Sequence, residues 1–214
     1  HVQTITVDPA PIATWQGAPG AITITCDAAT TFSASNLSYT NNGLGACLIA
    51  GQVMGVITGS FDECGGTLTQ TWTFTDDCSR TITYVQTITG DPAPIAAWVN
   101  APTNITITCD AATTFSASNL SYTNNGLGAC LIAGQVMGVI TGTYDECGGT
   151  LTQTWTFTDD CNRTITHVQT ITVDPAPIAS WVNAPAAITI TCDAATTFAA
   201  SNLSYTNNGL GACL

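Results

Sequence analysis

The chain has no lysine and only two arginines, Arg80 and Arg163, against 14 acidic residues in 214. The resulting net charge of −12 excludes nucleic acid and anionic membrane surfaces as partners, because both would repel it. Without lysine, the Lys–Asn isopeptide bonds that reinforce some bacterial surface rods are closed to it. No Cys-x-x-Cys pair occurs, which argues against a zinc site. The longest apolar stretch, residues 46–57, is broken by Gln52 and is too short to cross a bilayer as a helix. Helix signals are missing throughout. No initiator Met, signal peptide or anchor is visible, an absence that says little in a fragment.

What is present is a repeat. Residues 8–90 are written again as residues 91–173 with ten differences, and a further copy runs from 174 to 214. Cys26, Cys109 and Cys192 mark one register and Cys47, Cys130 and Cys213 another, each spaced by 83 residues (109 − 26 = 192 − 109 = 83). Residues 1–7 match 167–173, the end of a repeat. The expected organisation is therefore the end of one repeat (1–7), two complete repeats (8–90 and 91–173) and the N-terminal half of another (174–214), as a window on a longer array. Near-identical tandem units build length and a repeated surface, which an enzyme does not need. A hydrophobic content of 45%, with Trp and Phe at regular places, is enough to build cores and argues against disorder.

Within a repeat the dominant period is two. Residues 67–75 read Thr-Leu-Thr-Gln-Thr-Trp-Thr-Phe-Thr, one strand with a threonine face and a face of Leu68, Gln70, Trp72 and Phe74. Residues 81–89 repeat the device with Ile82, Tyr84 and Ile88. The turn cluster Asp76-Asp77-Cys78-Ser79-Arg80 between them makes a β-hairpin. Shorter strands are predicted at 12–15, 21–26 and 36–40. A Gly-broken stretch at 48–58 reads as one or two strands with a bulge, and 61–66 as a loop. Six or seven short strands and no helix predict an all-β fold, an antiparallel β-sandwich of the immunoglobulin-like kind. The Asp-Pro-Ala-Pro joint at 91–94 stiffens the connection, predicting a rod that advances by about 35–40 Å per repeat at ~3.3 Å per strand residue.

Ten cysteines fall four to a repeat, a density that favours disulfides and an oxidising, extracellular location. Cys64 and Cys78 flank one long strand and so lie at opposite poles of the unit, too far apart to bond. The pairing expected is Cys26–Cys64 at one pole and Cys47–Cys78 at the other, repeated as Cys109–Cys147 and Cys130–Cys161, with Cys192 and Cys213 unpaired. A rival sequential pairing joins Cys192 to Cys213.

The run Leu68-Thr69-Gln70-Thr71-Trp72-Thr73-Phe74-Thr75-Asp76-Asp77-Cys78, followed by Thr81-Ile82-Thr83, Val85-Gln86-Thr87-Ile88-Thr89, Asp91-Pro92 and Ile105-Thr106-Ile107-Thr108-Cys109-Asp110, resembles the HYR-like (hyalin-repeat-like) domain of giant Bacteroidetes-type surface and gliding adhesins. The resemblance covers the whole chain. It implies an immunoglobulin-like sandwich, export to the cell surface, often by the type IX route, and a role in adhesion or gliding. Many members carry two further cysteines near the equivalents of Trp15 and Tyr84, and both are absent here.

Candidate chemistry is sparse. His1 and His167 share a register that Tyr84 occupies in the first complete repeat, which predicts an exposed strand residue and not a catalytic base. Arg80 and Arg163 follow acidic pairs at hairpin tips and predict a local salt bridge, of small value, with Asp76 or Asp77. Asp62, Glu63 or Asp91 would face Asp159 and Asp160 of the next repeat, where calcium could find oxygen ligands; no EF-hand-like spacing supports it, so these read as solvated turn carboxylates and no cofactor is expected. Sequons at Asn36, Asn104, Asn119, Asn162 and Asn202 match the glycosylation tripeptide. The expected function is non-enzymatic: the structural region of an extracellular filament or adhesin stalk, with further repeats as its partners and lateral self-association open. The alternative is a multivalent module in which each repeat carries a weak site for a glycan or surface.

Overall fold

Alternating threonine and apolar residues build the longest strands of the chain, which a computed structural model describes over residues 1–214. In the first repeat the elements are β1 (Thr14–Gln16), β2 (Ile22–Ile24), α1 (Cys26–Thr30), β3 (Asn36–Thr40), β4 (Ala50–Met54), β5 (Val56–Asp62), β6 (Gly65–Thr75) and β7 (Thr81–Gly90). The same series follows as β8 (Ala97–Val99), β9 (Ile105–Ile107), α2 (Cys109–Ala112), β10 (Asn119–Thr123), β11 (Ala133–Met137), β12 (Val139–Asp145), β13 (Gly148–Thr158) and β14 (Thr164–Val173). It begins again with β15 (Ser180–Trp181), α3 (Cys192–Ala195) and β16 (Tyr205–Thr206). No helix is long and apolar enough to cross a membrane.

Strands β1, β3 and β4 form one sheet in the order β1-β3-β4, and β2-β7-β6-β5 form a second. The hairpin β6–β7 pairs Thr67 with Thr89 and Thr75 with Thr81, in the register the alternation implies. Its inner face carries Leu68, Gln70 and Trp72, all buried, with Trp72 fully so. The inner face meets the three-stranded sheet through Tyr39, whose ring stacks on Phe74 at 3.8 Å. The Trp72 indole N–H and the Gln70 amide both donate to the Ser35 carbonyl, at 2.9 and 3.2 Å. This is the arrangement of a β-sandwich, with a polar amide admitted to the core because it is hydrogen-bonded. The outer threonines pair across strands, as in Thr58–Thr69 and Thr75–Thr81 at 2.8 Å each. The second four-stranded sheet, β12-β13-β14-β9, keeps the β5–β6 register 83 residues on: Val56↔Thr71 becomes Val139↔Thr154. The other sheet of that repeat has the order β11-β10-β8.

Four details depart from the sequence expectation. A short helix, α1, follows β2, because Thr25 caps it by accepting a hydrogen bond from the Ala28 N–H at 3.2 Å. The strand expected over 21–26 therefore stops at Ile24. Residues 61–66 are not a loop: β5 runs to Asp62 and β6 starts at Gly65, across a tight turn in which Asp62 accepts from the Cys64 N–H at 2.8 Å. Gly65 adopts φ +93, and a Cβ there would stand 2.7 Å from the Gly90 carbonyl oxygen, so the turn requires glycine. Finally, the sheets are not wholly antiparallel. β2 runs parallel to β7, pairing Ile22 with Ile88 and Ile24 with Gly90. β5 continues β4 after Gly55, so β1, β4, β5 and β7 share one direction, and β2 keeps it as the chain passes from the first sheet to the second.

By contact, the chain divides into two units. One comprises His1–Ala97, Tyr122–Gly134 and Thr158–Arg163; the other comprises Trp98–Ser121, Gln135–Phe157 and Thr164–Leu214. The first unit thus contains a complete sequence repeat, the first residues (91–97) of the repeat that follows, and two further segments of it.

Candidate functional site

The two segments gathered into the first unit are held by cysteines. Cys26, the first residue of α1, is bonded to Cys130 with Cα atoms 5.8 Å apart, and Cys64, in the β5–β6 turn, is bonded to Cys161 with Cα atoms 5.3 Å apart. In the second unit Cys109 is bonded to Cys213 with Cα atoms 5.7 Å apart. Since 26 + 83 = 109 and 130 + 83 = 213, the third bond is the first one moved along by one sequence period. Cys47, Cys78, Cys147 and Cys192 are free and exposed.

This corrects the expected pairing. Cys26–Cys64, Cys47–Cys78, Cys109–Cys147 and Cys130–Cys161 do not form, and neither does the rival Cys192–Cys213. The placement of cysteines at poles nevertheless agrees with the structure. The Cys26 sulfur lies 3.3 Å from the Asp62 carbonyl oxygen, beside the Cys64 turn, while Cys47 and Cys78 line one cavity at the hairpin end. What the expectation lacked was direction. Cys26 and Cys64 both bond to cysteines of the following sequence repeat, Cys130 and Cys161, which belong to the same unit.

Polar contacts reinforce the joint. The Asp27 carboxylate accepts from the Leu127 N–H at 2.8 Å, and the Glu63 carboxylate accepts from the Asp160 N–H at 3.1 Å. Glu63 does meet the acidic pair of the next repeat, but through a backbone N–H. No group of three or more His, Cys, Asp or Glu side chains is placed to hold a metal. In the second unit Asp110 accepts from Leu210 N–H at 2.9 Å, the counterpart of Asp27.

The proline joint is clasped as well. The Ala93 N–H donates to the Glu63 carbonyl at 2.9 Å, and the Ala93 carbonyl accepts from the Arg163 guanidinium at 2.6 Å. Arg163 also donates to Asp159 at 2.7 Å, and Arg80 makes the equivalent bonds to Asp76 and to the Ala10 carbonyl, both at 2.7 Å. The expected salt bridges are present, with Asp76 and Asp159 as partners; the linker contact was not expected. Burial pushes the Asp159 carboxyl up, but hydrogen bonds from the Arg163 N–H and guanidinium outweigh it and hold the group below its ordinary 3.8. Asp76 is lowered chiefly by the Arg80 backbone N–H, against a smaller effect of burial. Asn124 completes the clasp. Its amide donates to the Pro94 and Cys130 carbonyls at 3.2 and 2.8 Å, and its side-chain oxygen accepts from Gly126 and Ile132 N–H at 2.9 Å each.

Tyr84 and His167 are half-buried strand residues, not exposed ones. The Tyr84 hydroxyl donates to the Pro19 carbonyl at 2.7 Å, and His167 Nε2 meets the Pro102 carbonyl at 2.8 Å. The two side chains supply the same donor to equivalent loops. His1 is exposed. Asp27 and Asp110 were missed as joint residues, although the tripeptide Thr-Cys-Asp recurs before Ala-Ala in all three copies, a capped helix start with an acidic residue at its first turn. No family model matches this chain, and no curated protein is similar to it.

Proposed function

We propose that the chain is the structural repeat region of a long extracellular filament or adhesin stalk, built of HYR-like, immunoglobulin-like sandwiches that are welded end to end by disulfides. The single observation that carries this reading is the joint: cysteines at one pole of a repeat bond to cysteines of the next repeat, and the Cys26–Cys130 bond recurs one period later as Cys109–Cys213. Such bonds resist extension along the chain, and they form where the compartment is oxidising, which supports a location outside the cytoplasm. With no lysine available for amide cross-links, the cysteines are the covalent reinforcement. Negative-stain imaging of the fibre tests the proposal. Thin rods with an axial period of about 35–40 Å, from strands of roughly ten residues at ~3.3 Å each, are expected; rounded particles without a period would overturn it.

A further inference from the structure

The two sides on which the sheets of a repeat end are built differently. On one side the edge strands are β1 and β2, three residues each, with Pro9, Pro11 and Pro19 around them. Short strands and prolines keep an edge from pairing with another chain. On the other side the edges are β4 and β5, which run from Ala50 to Asp62 with only Gly55 between them. No such device protects this side. The stretch has neither proline nor lysine. The pairing of β5 with β6 is unbroken from Val56↔Thr71 to Asp62↔Gly65, so no bulge interrupts it. Each of the two strands pairs with one neighbour, and every second backbone N–H and C=O of such an edge points away from the sheet.

The open edge is a property of the repeat. Met54 and Val56, on either side of Gly55, are 57% and 64% exposed; Met137 and Val139, one period on, are 58% and 64%. The first pair is followed by a complete repeat and the second is preceded by one. The exposures agree all the same, so neighbours in the chain leave the edge open. Charge sets it apart as well. No charged residue occurs between Asp27 and Asp62, or between Asp110 and Asp145. A net charge of −12 opposes contact between two copies wherever their acids meet, and along this edge none do until Asp62.

We infer that the β4–β5 edge, with its counterpart β11–β12, is a lateral docking site for a second copy of this chain, whose own edge strand adds to it in antiparallel register. A strand paired antiparallel with its own copy offers the same groups to both molecules, so one surface serves both partners. Antiparallel pairing also places the Asp62 of each copy at opposite ends of the paired strands, whereas parallel pairing would set the two acids side by side. The edge lies within one repeat, so this docking does not depend on the disulfides between repeats.

The test uses the full oxidised chain with its free thiols blocked by iodoacetamide, so that no disulfide can form between molecules. Sedimentation over a concentration series is expected to show self-association of the parent. Val56→Lys/Val139→Lys should raise the dissociation constant at least about tenfold, because lysine on an edge strand bars pairing. It should do so although the net charge falls from −12 to −10 (−12 + 2) and repulsion with it. Val85→Lys/Val168→Lys makes the same charge change at exposed residues of β7 and β14, away from the edge, and should leave association as it is in the parent. A monomeric parent, an edge variant that associates like the parent, or a control that weakens equally would each overturn the docking site. Hydrogen exchange of the parent reads the edge without any substitution. Amides of residues 50–60 should exchange more slowly at high concentration than at low, and those of 81–89 equally at both; an edge indifferent to concentration overturns the docking site too. If the parent stays monomeric while Cys26–Cys130 and Cys64–Cys161 are found in it, lateral docking fails and the reading of the chain as a disulfide-linked array stands.

Discussion

Tyr84 and His167 perform one task with different chemistry, each reaching a loop carbonyl three residues before the next sheet-edge strand. His167→Tyr is therefore expected to be nearly neutral, within about 0.5 kcal/mol, while His167→Phe leaves the Pro102 carbonyl without its partner and costs about 1 kcal/mol; chemical denaturation of both variants checks this. The lowered carboxyls of Asp76 and Asp159 make a second prediction. A group whose folded value lies below its unfolded one contributes stability above the unfolded value and loses it as pH falls through the folded one. The thermal midpoint should fall as pH drops below about 4, and the Asp76→Asn/Asp159→Asn double variant should start lower at neutral pH and show a shallower acid slope. An unchanged slope would remove these carboxylates from the acid response. At this scale the sequence was partly legible. Arg80 beside Asp76 advertised its ion pair, because the partners are four residues apart. Its bond to the Ala10 carbonyl was not legible, because that partner lies 70 residues away.

The threonine hairpin shows how far period two can be read. Residues 67–75 and 81–89 alternated so regularly that faces and register followed, and β6 and β7 adopt them. Trp72 is fully buried and donates to Ser35, so Trp72→Ala should cost about 3–5 kcal/mol, and Trp155→Ala the same in its own repeat; two-state unfolding curves measure both. Gly55 separates β4 from β5, which lie in different sheets, and a Cβ there would collide with the Gln70 side chain, so the buried amide packs against the point where the chain changes sheet. The short helices escaped notice because four or five residues give no helical period. Only the threonine before each Cys-Asp-Ala-Ala marked them, and it lies inside an alternating run that reads as strand. The parallel edge was hidden for another reason: direction depends on how the chain passes between sheets, which no local pattern encodes.

At the scale of the molecule, the cysteines reverse an assumption that small repeats close on themselves. Their poles could be placed from strand length, but partner choice depends on which pole meets which, and near-identical repeats leave that open in the sequence. A bond spanning 104 residues, such as Cys26–Cys130, removes about 4–5 kcal/mol of unfolded-chain entropy, so the joints stabilise the poles they connect as well as linking them. The scarcity of basic residues supplies the decisive measurement. Trypsin can cut only after Arg80 and Arg163, giving fragments 1–80, 81–163 and 164–214. Digestion of the oxidised chain in urea, with free thiols blocked and no reductant, should leave all three fragments joined, because Cys26–Cys130 and Cys64–Cys161 link the first to the second and Cys109–Cys213 links the second to the third. Addition of reductant should then release them. Pairing within repeats would instead let the three fragments separate before any reductant is added, and that result would contradict the disulfides between repeats.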